Sequence, residues 1–237
     1  MIKDIIKIKP HHLIPEKEIV LNICRLGIPN GIAQAIMFLS TIVIQRLINN
    51  MGYLVTAAIT AVLRVDAFAV IPSHTFNMSI STFTGQNIGA GEEERAKQGV
   101  KDVLKMQTAF WLVILFVLPM IAGGLIHLFG MGDDAHVMSI GVQAIRLCSK
   151  LYILFGFMQT FSNFLRGVGD AKYSMVTTIC MILIRLPFTY LLVHIVKYGE
   201  MSIWLGMGMG WLTVMTMNPY LLNDPPKMVH RSTKKGI

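Results

Sequence analysis

Long apolar stretches dominate this chain, and short charged segments separate them. Of its 237 residues, 54% are hydrophobic and only 14% are charged, whereas soluble domains have roughly 25% charged residues. A helix needs about 20 mainly apolar residues to cross a bilayer. Six stretches have this length, over residues 27–49, 54–86, 106–129, 136–165, 174–197 and 201–222. The sequence therefore predicts an all-α membrane protein with six transmembrane helices.

The predicted helices divide the chain into three parts. In residues 1–26, apolar side chains alternate with Lys and Glu, which is typical of an amphipathic linker on the cytoplasmic membrane surface. Residues 27–222 form the six-helix membrane lobe, and residues 223–237 form a basic cytoplasmic tail. The opening segment lacks the continuous apolar core and small-residue cleavage site of a signal peptide.

The basic residues are distributed unevenly between the two sides of the predicted lobe. A net charge of +8 and a pI near 9.5 would also fit a nucleic-acid-binding protein. Most Lys and Arg, however, fall in blocks that successive crossings place on one side, and basic loops mark the cytoplasm. We therefore predict a multi-pass protein of the cell (inner or plasma) membrane, with both termini cytoplasmic and no nucleic-acid partner.

The sequence contains no recognisable catalytic or metal-binding motif. Cys24, Cys148 and Cys180 are far apart and form no Cys-x-x-Cys pair. No Ser, His and Asp set has the signature of a nucleophile elbow. We therefore expect a protein that is not an enzyme, with no catalytic residues, no metal site and no cofactor.

The first predicted helix has one polar face. At 100° per residue, Asn30, Gln34, Thr41 and Gln45 fall within about 60° of one another. Amides and hydroxyls are tolerated in hydrocarbon only where they meet other helices or water. This face is therefore either a cavity wall or a site of hydrogen bonding between helices.

The second predicted helix has a stronger polar stripe. Asp66, Ser73, Asn77 and Thr84 lie within about 40° of one another on this helix. His74 and Ser81 flank the stripe, and Pro72 removes a backbone donor from its middle. The pattern predicts the wall of a binding cavity.

Asp66 is the acidic residue that falls clearly within the predicted membrane region. A carboxylate in this position is a functional candidate, because an intramembrane charge is costly to keep. It can serve ion coupling or substrate binding, or it can pair with Arg46, Arg64, Arg146 or Arg185. Both interpretations remain open at this level.

Several motifs of the sequence resemble those of multidrug and toxic compound extrusion (MATE) transporters. Residues 82–91, Thr-Phe-Thr-Gly-Gln-Asn-Ile-Gly-Ala-Gly, followed by Glu94-Arg95-Ala96-Lys97, resemble the signature of that family's eighth helix. Further motifs occur in the family's order, at 26–29 (Leu-Gly-Ile-Pro), 64–66 (Arg-Val-Asp), 71–72 (Ile-Pro), 166–170 (Arg-Gly-Val-Gly-Asp) and 185–188 (Arg-Leu-Pro-Phe).

The resemblance implies a transporter of twelve helices in two lobes, of which this chain is similar to the second. Such transporters export cationic or amphipathic compounds in exchange for H+ or Na+, the coupling ion. The resemblance thus implies three kinds of partner, namely membrane lipid, small-molecule substrates and a missing N-terminal lobe. Without that lobe we expect an inactive fragment, with a split-gene product and a homodimer as alternatives. Met37 occupies the place of a Glu found in some relatives, which argues against that form of sodium site.

Two alternative functions remain on the sequence alone. A flippase of the same superfamily would move lipid-linked precursors instead of drugs. A non-transporting membrane subunit would scaffold a partner without coupling to an ion gradient.

Overall fold

The computed structural model describes residues 16–129 and 134–217, which fold into six α-helices without a strand in these two ranges. One π-helical turn, Leu192–Val196, extends the fifth helix, and a 3-10 turn, Gly199–Met201, leads into the sixth. The helices are α1 Lys17–Asn50, α2 Tyr53–Gly89, α3 Glu93–Leu128, α4 Ala135–Val168, α5 Ala171–Leu191 and α6 Ser202–Met217. The predicted all-α class is confirmed.

Five of the helices are long and apolar enough to cross a membrane. The described part of α6 has 16 residues and is shorter than the others. Large apolar side chains cover the outside of the lobe, a surface that suits lipid and not water. Examples that are more than half exposed are Phe38, Phe68, Met78, Phe116, Met120 and Leu183.

Two helices begin ten or more residues before the positions that the sequence predicts. Helix α1 begins at Lys17, so residues 17–26 of the predicted linker continue the first transmembrane helix without a break. Helix α3 begins at Glu93 instead of 106. The reason is that hydropathy marks only the part of a helix that crosses the apolar layer, whereas the helix itself extends beyond it. The predicted tail, 223–237, lies outside the described residues.

Local sequence explains where the central helices begin and end. Asp134 caps α4 by accepting from the backbone N–H groups of His136 and Val137, and Asp170 caps α5 through Tyr173. Gly169, at φ 87°, ends α4 in the left-handed conformation that glycine adopts most easily. Gly169 and Asp170 together make the connection between α4 and α5 short and defined.

Helix α4 is the central element of the lobe. It packs against α2 and α3 on one side and against α6 on another, while α5 packs between α1 and α6. The largest core cluster contains Trp111, Tyr152 and Trp204, all of which are almost fully buried. The contact between α2 and α4 is especially close at Gly167, where a Cβ would lie 2.6 Å from the Ser81 carbonyl oxygen. The polar stripe of α2 therefore faces protein over much of its length.

Candidate functional site

The carboxylate of Asp66 meets a tyrosine inside the lobe. The Tyr152 hydroxyl, on α4, donates a hydrogen bond to Asp66 Oδ1. Tyr152 is 2% exposed, and its ring centroid lies 4.9 Å from that of Trp111. Packing thus fixes the phenol that orients the acid.

The arginines considered as partners of Asp66 do not pair with it. Within residues 16–129 and 134–217, the ion pairs are Lys97–Glu94 at 2.7 Å and Lys105–Asp102 at 3.2 Å. The structural ion pair considered for Asp66 is therefore replaced, among these residues, by the hydrogen bond from Tyr152.

Two helical turns along α2, a buried network of polar side chains joins α2, α3 and α4. We call it the polar cluster, and its centre is Gln107, which is 0% exposed. Gln107 Oε1 accepts from Ser73 Oγ at 2.9 Å and from Trp111 Nε1 at 3.0 Å. Gln107 Nε2 donates to Asn77 Oδ1 at 3.0 Å and to Thr160 Oγ1 at 3.5 Å. The members are Ser73, Asn77, Gln107, Trp111 and Thr160.

The polar cluster is internally satisfied. All four hydrogen-bonding positions of the Gln107 amide are used, and Asn77 Nδ2 also donates to Ser73 Oγ at 3.4 Å. Thr160 Oγ1 donates onward to the Gly156 carbonyl oxygen at 3.0 Å. A fully bonded network of this kind holds helices in one register. Ser73 and Asn77 therefore connect helices, whereas the sequence pattern placed them on a cavity wall.

A glycine on α4 makes the polar cluster possible. A Cβ at Gly156 would lie 2.3 Å from Trp111 Nε1 and 3.1 Å from Gln107 Oε1. Real Cβ atoms do not approach other atoms at the shorter of these distances. Only glycine at this position lets the indole and the amide lie against α4.

The side chains of the other predicted α2 residues form no hydrogen bond with the polar cluster in the described lobe. His74 is exposed and Ser81 is half-buried. Thr84 is fully buried, and its hydroxyl has no hydrogen-bond partner among the described residues. Of the α2 candidates, His74 is the one that stands open on the surface of the lobe.

The polar face of α1 forms no hydrogen bond with Asp66 or the polar cluster in the described residues. Gln34 and Thr41 are exposed, and Asn30 is half-buried. Asn30 Nδ2 donates to the Leu26 carbonyl at 3.0 Å, and Thr41 Oγ1 donates to that of Met37 at 3.1 Å. These bonds stay within α1. Hydrogen bonding of this face to other helices, one of the two interpretations of the sequence, is therefore not seen for Asn30 and Thr41 in the described lobe.

The sequence reasoning missed Gln107, Trp111, Tyr152 and Thr160. A signal for part of this set was present, because residues 152, 156 and 160 are spaced four apart and fall along one face of α4. Among the described residues, no group of three or more His, Cys, Asp or Glu side chains is placed to hold a metal ion.

The MatE family profile matches residues 29–191 of the chain. The chain belongs to the MatE family. Its relatives include the probable multidrug resistance protein YoeA of Bacillus subtilis, 27% identical over 192 residues, and the probable multidrug resistance protein NorM of Thermotoga maritima, 20% identical over 186 residues. The matches cover 81% and 78% of this chain but only 41% and 40% of those two relatives.

Solved structures of MATE transporters have the same fold in one half of their length. An outward-facing multidrug resistance MATE transporter of the MOP superfamily superposes with a TM-score of 0.83 at 19% identity. A MOP superfamily transporter from Pyrococcus furiosus gives 0.83 at 21% identity. Each alignment covers 97% of this chain and 51% of the solved one. The six helices of this MatE chain thus form a membrane lobe of the MATE fold.

Proposed function

We propose that this chain acts as the second lobe of an antiporter that exports cationic or amphipathic small molecules in exchange for H+ or Na+. The observation that carries the proposal is the placement of Asp66, an acid within an apolar helical lobe that is held by Tyr152 and paired with no described cation. Membership of the MatE family supports a transport function.

The surroundings of Asp66 suit reversible ion binding. Tyr152 hydrogen-bonds Oδ1, while Oδ2 accepts no hydrogen bond from the described residues. That second oxygen can take a proton or contact Na+, and either event would neutralise a charge that is costly in a membrane. Release of the ion restores the charge, so the occupancy of Asp66 can favour one conformation of a transporter over another.

The polar cluster supports the proposal by making part of the lobe rigid. Alternating access in transporters built from repeats is largely a rocking of one rigid half against the other. Gln107 ties α3 to Ser73 and Asn77 on α2 and to Thr160 on α4. These helices would move together, carrying Asp66 with them.

The exposed polar groups of α1 and α2 are the proposed substrate-facing surface. Gln34, Thr41 and His74 are open in the described lobe, and a first lobe placed opposite them would enclose a cavity. Burial of the apolar part of a substrate would supply affinity, and these side chains with Asp66 would orient its polar or cationic part.

The proposed assembly lies in the cell membrane with both termini of this chain in the cytoplasm, following the basic loops. Its partners are a first lobe, membrane lipid and the transported compound. Another relative is the FAD transporter of Shewanella oneidensis, which is 26% identical over 164 residues. The alignment covers 36% of that transporter. FAD is therefore a useful second test compound beside a cationic dye.

The test is export by proteoliposomes that contain this lobe paired with a MATE-type first lobe. Ethidium export should follow an imposed H+ or Na+ gradient and should fall at least about tenfold in Asp66→Asn, since the amide cannot carry the charge. Asp102→Asn is the matched control, because Asp102 lies on an exposed part of α3 and pairs with Lys105. If the gradient has no effect on ethidium movement, the chain is better explained as a non-transporting scaffold subunit. Movement of a labelled lipid without ethidium export would favour the flippase.

A further inference from the structure

An open groove of about 600 Å³ lies between the last turns of α1 and the end of α5. It belongs to neither Asp66 nor the polar cluster, and its volume is within the roughly 300–1,000 Å³ typical of small-molecule sites. Most of its surface is apolar. The apolar wall consists of Val43, Leu47, Leu186, Leu191 and Ile195.

The lining of the groove also includes polar and cationic side chains. Arg46 and Asn50 contribute from α1, and His194 contributes from the π-helical turn. The His194 ring packs on Tyr190, with 4.3 Å between ring centroids. All four side chains are exposed, and no Asp or Glu among the described residues lines the groove.

The Arg46 guanidinium has no hydrogen bond or ion pair with the described residues. It lies one turn before Asn50, where α1 ends, and a side chain of this length can snorkel to the membrane interface from that position. An unpaired arginine at that depth favours an anion supplied from outside the lobe.

The groove and the polar face of α1 lie on opposite sides of that helix. At 100° per residue, Val43, Arg46 and Asn50 are centred about 180° from Asn30, Gln34 and Thr41. The polar face requires protein or water, because unsatisfied amides and hydroxyls are costly in hydrocarbon. The side chains of Val43, Arg46 and Asn50, on the other side, are exposed in the lobe and are therefore open to lipid.

We propose that this groove is a binding site for an anionic glycerophospholipid. The Arg46 guanidinium binds the phosphate through two parallel hydrogen bonds, a geometry that arginine is suited to form. Asn50 and His194 hydrogen-bond the phosphate or the glycerol, and an acyl chain lies along the apolar wall. A net anionic headgroup is favoured because the groove carries a cation and no acid. The site stands independently of the transport proposal.

Native mass spectrometry of the full purified chain in detergent tests the site, with phosphatidylglycerol and phosphatidylcholine of identical acyl chains as probes. Phosphatidylglycerol should bind at least about tenfold more tightly than phosphatidylcholine. Arg46→Gln should weaken phosphatidylglycerol binding about tenfold, because it removes a charge-assisted contact. Arg46→Lys should retain an intermediate affinity. Equal binding of the two lipids, or unchanged binding by Arg46→Gln, would overturn the proposal.

Lys197→Gln is the matched control, since it removes one positive charge from the same end of the lobe and Lys197 does not line the groove. Its phosphatidylglycerol affinity should stay within about twofold of the original. A loss equal to that of Arg46→Gln would mean general surface attraction and would contradict a defined site.

Val43→Trp tests the apolar wall while Arg46 remains in place. Val43 is 48% exposed, so the larger side chain fills the groove without entering the core. Lipid affinity should fall while the circular dichroism spectrum and melting temperature stay the same. Inorganic phosphate is the soluble probe, and at millimolar concentration it should not displace the lipid. Displacement by phosphate, or full lipid affinity in Val43→Trp, would reduce the site to an anion contact and refute lipid binding in the groove.

Discussion

Tyr152 of α4 donates a hydrogen bond to Asp66 of α2, which links a buried phenol to an acid inside the lobe. The Tyr152 ring is fixed against Trp111, whose own indole N–H is bonded to Gln107. The acid and the polar cluster are therefore joined through two packed aromatic rings. A substitution in the polar cluster is therefore expected to alter the position of Tyr152 and with it the hydrogen bond to Asp66.

Tyr152→Phe removes the hydrogen bond to Asp66 and keeps the aromatic packing. Because a hydrogen bond to a charged group contributes about 1.5–3 kcal/mol, we expect gradient-driven export to fall about tenfold or more with little change in protein abundance. Tyr53→Phe is the control, since Tyr53 is 84% exposed at the start of α2. Equal transport by both variants would show that Tyr152 has only a packing role.

Gln107→Leu should destabilise the lobe. The leucine leaves the buried Ser73 hydroxyl and the Trp111 indole N–H without their common acceptor, at a cost of about 1–3 kcal/mol per unsatisfied group. A thermal melt of the purified chain measures the effect. Gln143→Leu should melt as the unmodified chain does, because Gln143 is exposed and bonds only to Ser139 one turn away.

Gly156→Ala places a methyl group against the Trp111 indole. Since nothing nearby is free to move away cheaply, we expect a loss of about 1–3 kcal/mol from overpacking. Gly123→Ala is the control, because a Cβ there has no atom within 4 Å. The two alanine variants should differ in melting temperature, with Gly156→Ala the lower. Identical melting of the two would contradict the close contact between α3 and α4.

Much of the fold follows from the sequence because hydropathy and helix terminators are local signals. The apolar stretches identify the membrane crossings, and Gly91 and Gly169 lie where α2 and α4 end, both at positive φ. The spacing along α2 likewise identifies Asp66, Ser73 and Asn77 as one stripe. Local patterns of this kind need no knowledge of the neighbouring helices.

The partners of that stripe are not local. Whether α2 faces a cavity or another helix depends on how α3 and α4 are rotated against it, and a single sequence does not encode that rotation in any periodic pattern. Gln107 lies at the start of an otherwise apolar stretch, so its polarity alone carries no sign of a central role. The same limitation applies to Tyr152, whose contact with Asp66 spans 86 residues of chain.

The orientation of the lobe is tested by cysteine labelling in whole cells. The basic segments predict that the loop between α2 and α3 lies in the cytoplasm and that the turn before α6 lies outside. In a chain with its three native cysteines replaced by serine, a cysteine at Lys197 should react with an impermeant reagent in intact cells. A cysteine at Glu94 should react only after the cells are opened. The reverse pattern would invert the topology.

The most direct test of the account is the ion flux that accompanies substrate movement. In proteoliposomes with the paired lobes, ethidium moving in one direction should drive H+ or Na+ in the other, recorded with an internal ion-sensitive dye. We predict that Asp66→Asn abolishes this counterflow while Asp102→Asn preserves it. Counterflow that persists undiminished in Asp66→Asn would contradict the assignment of Asp66 as the coupling residue.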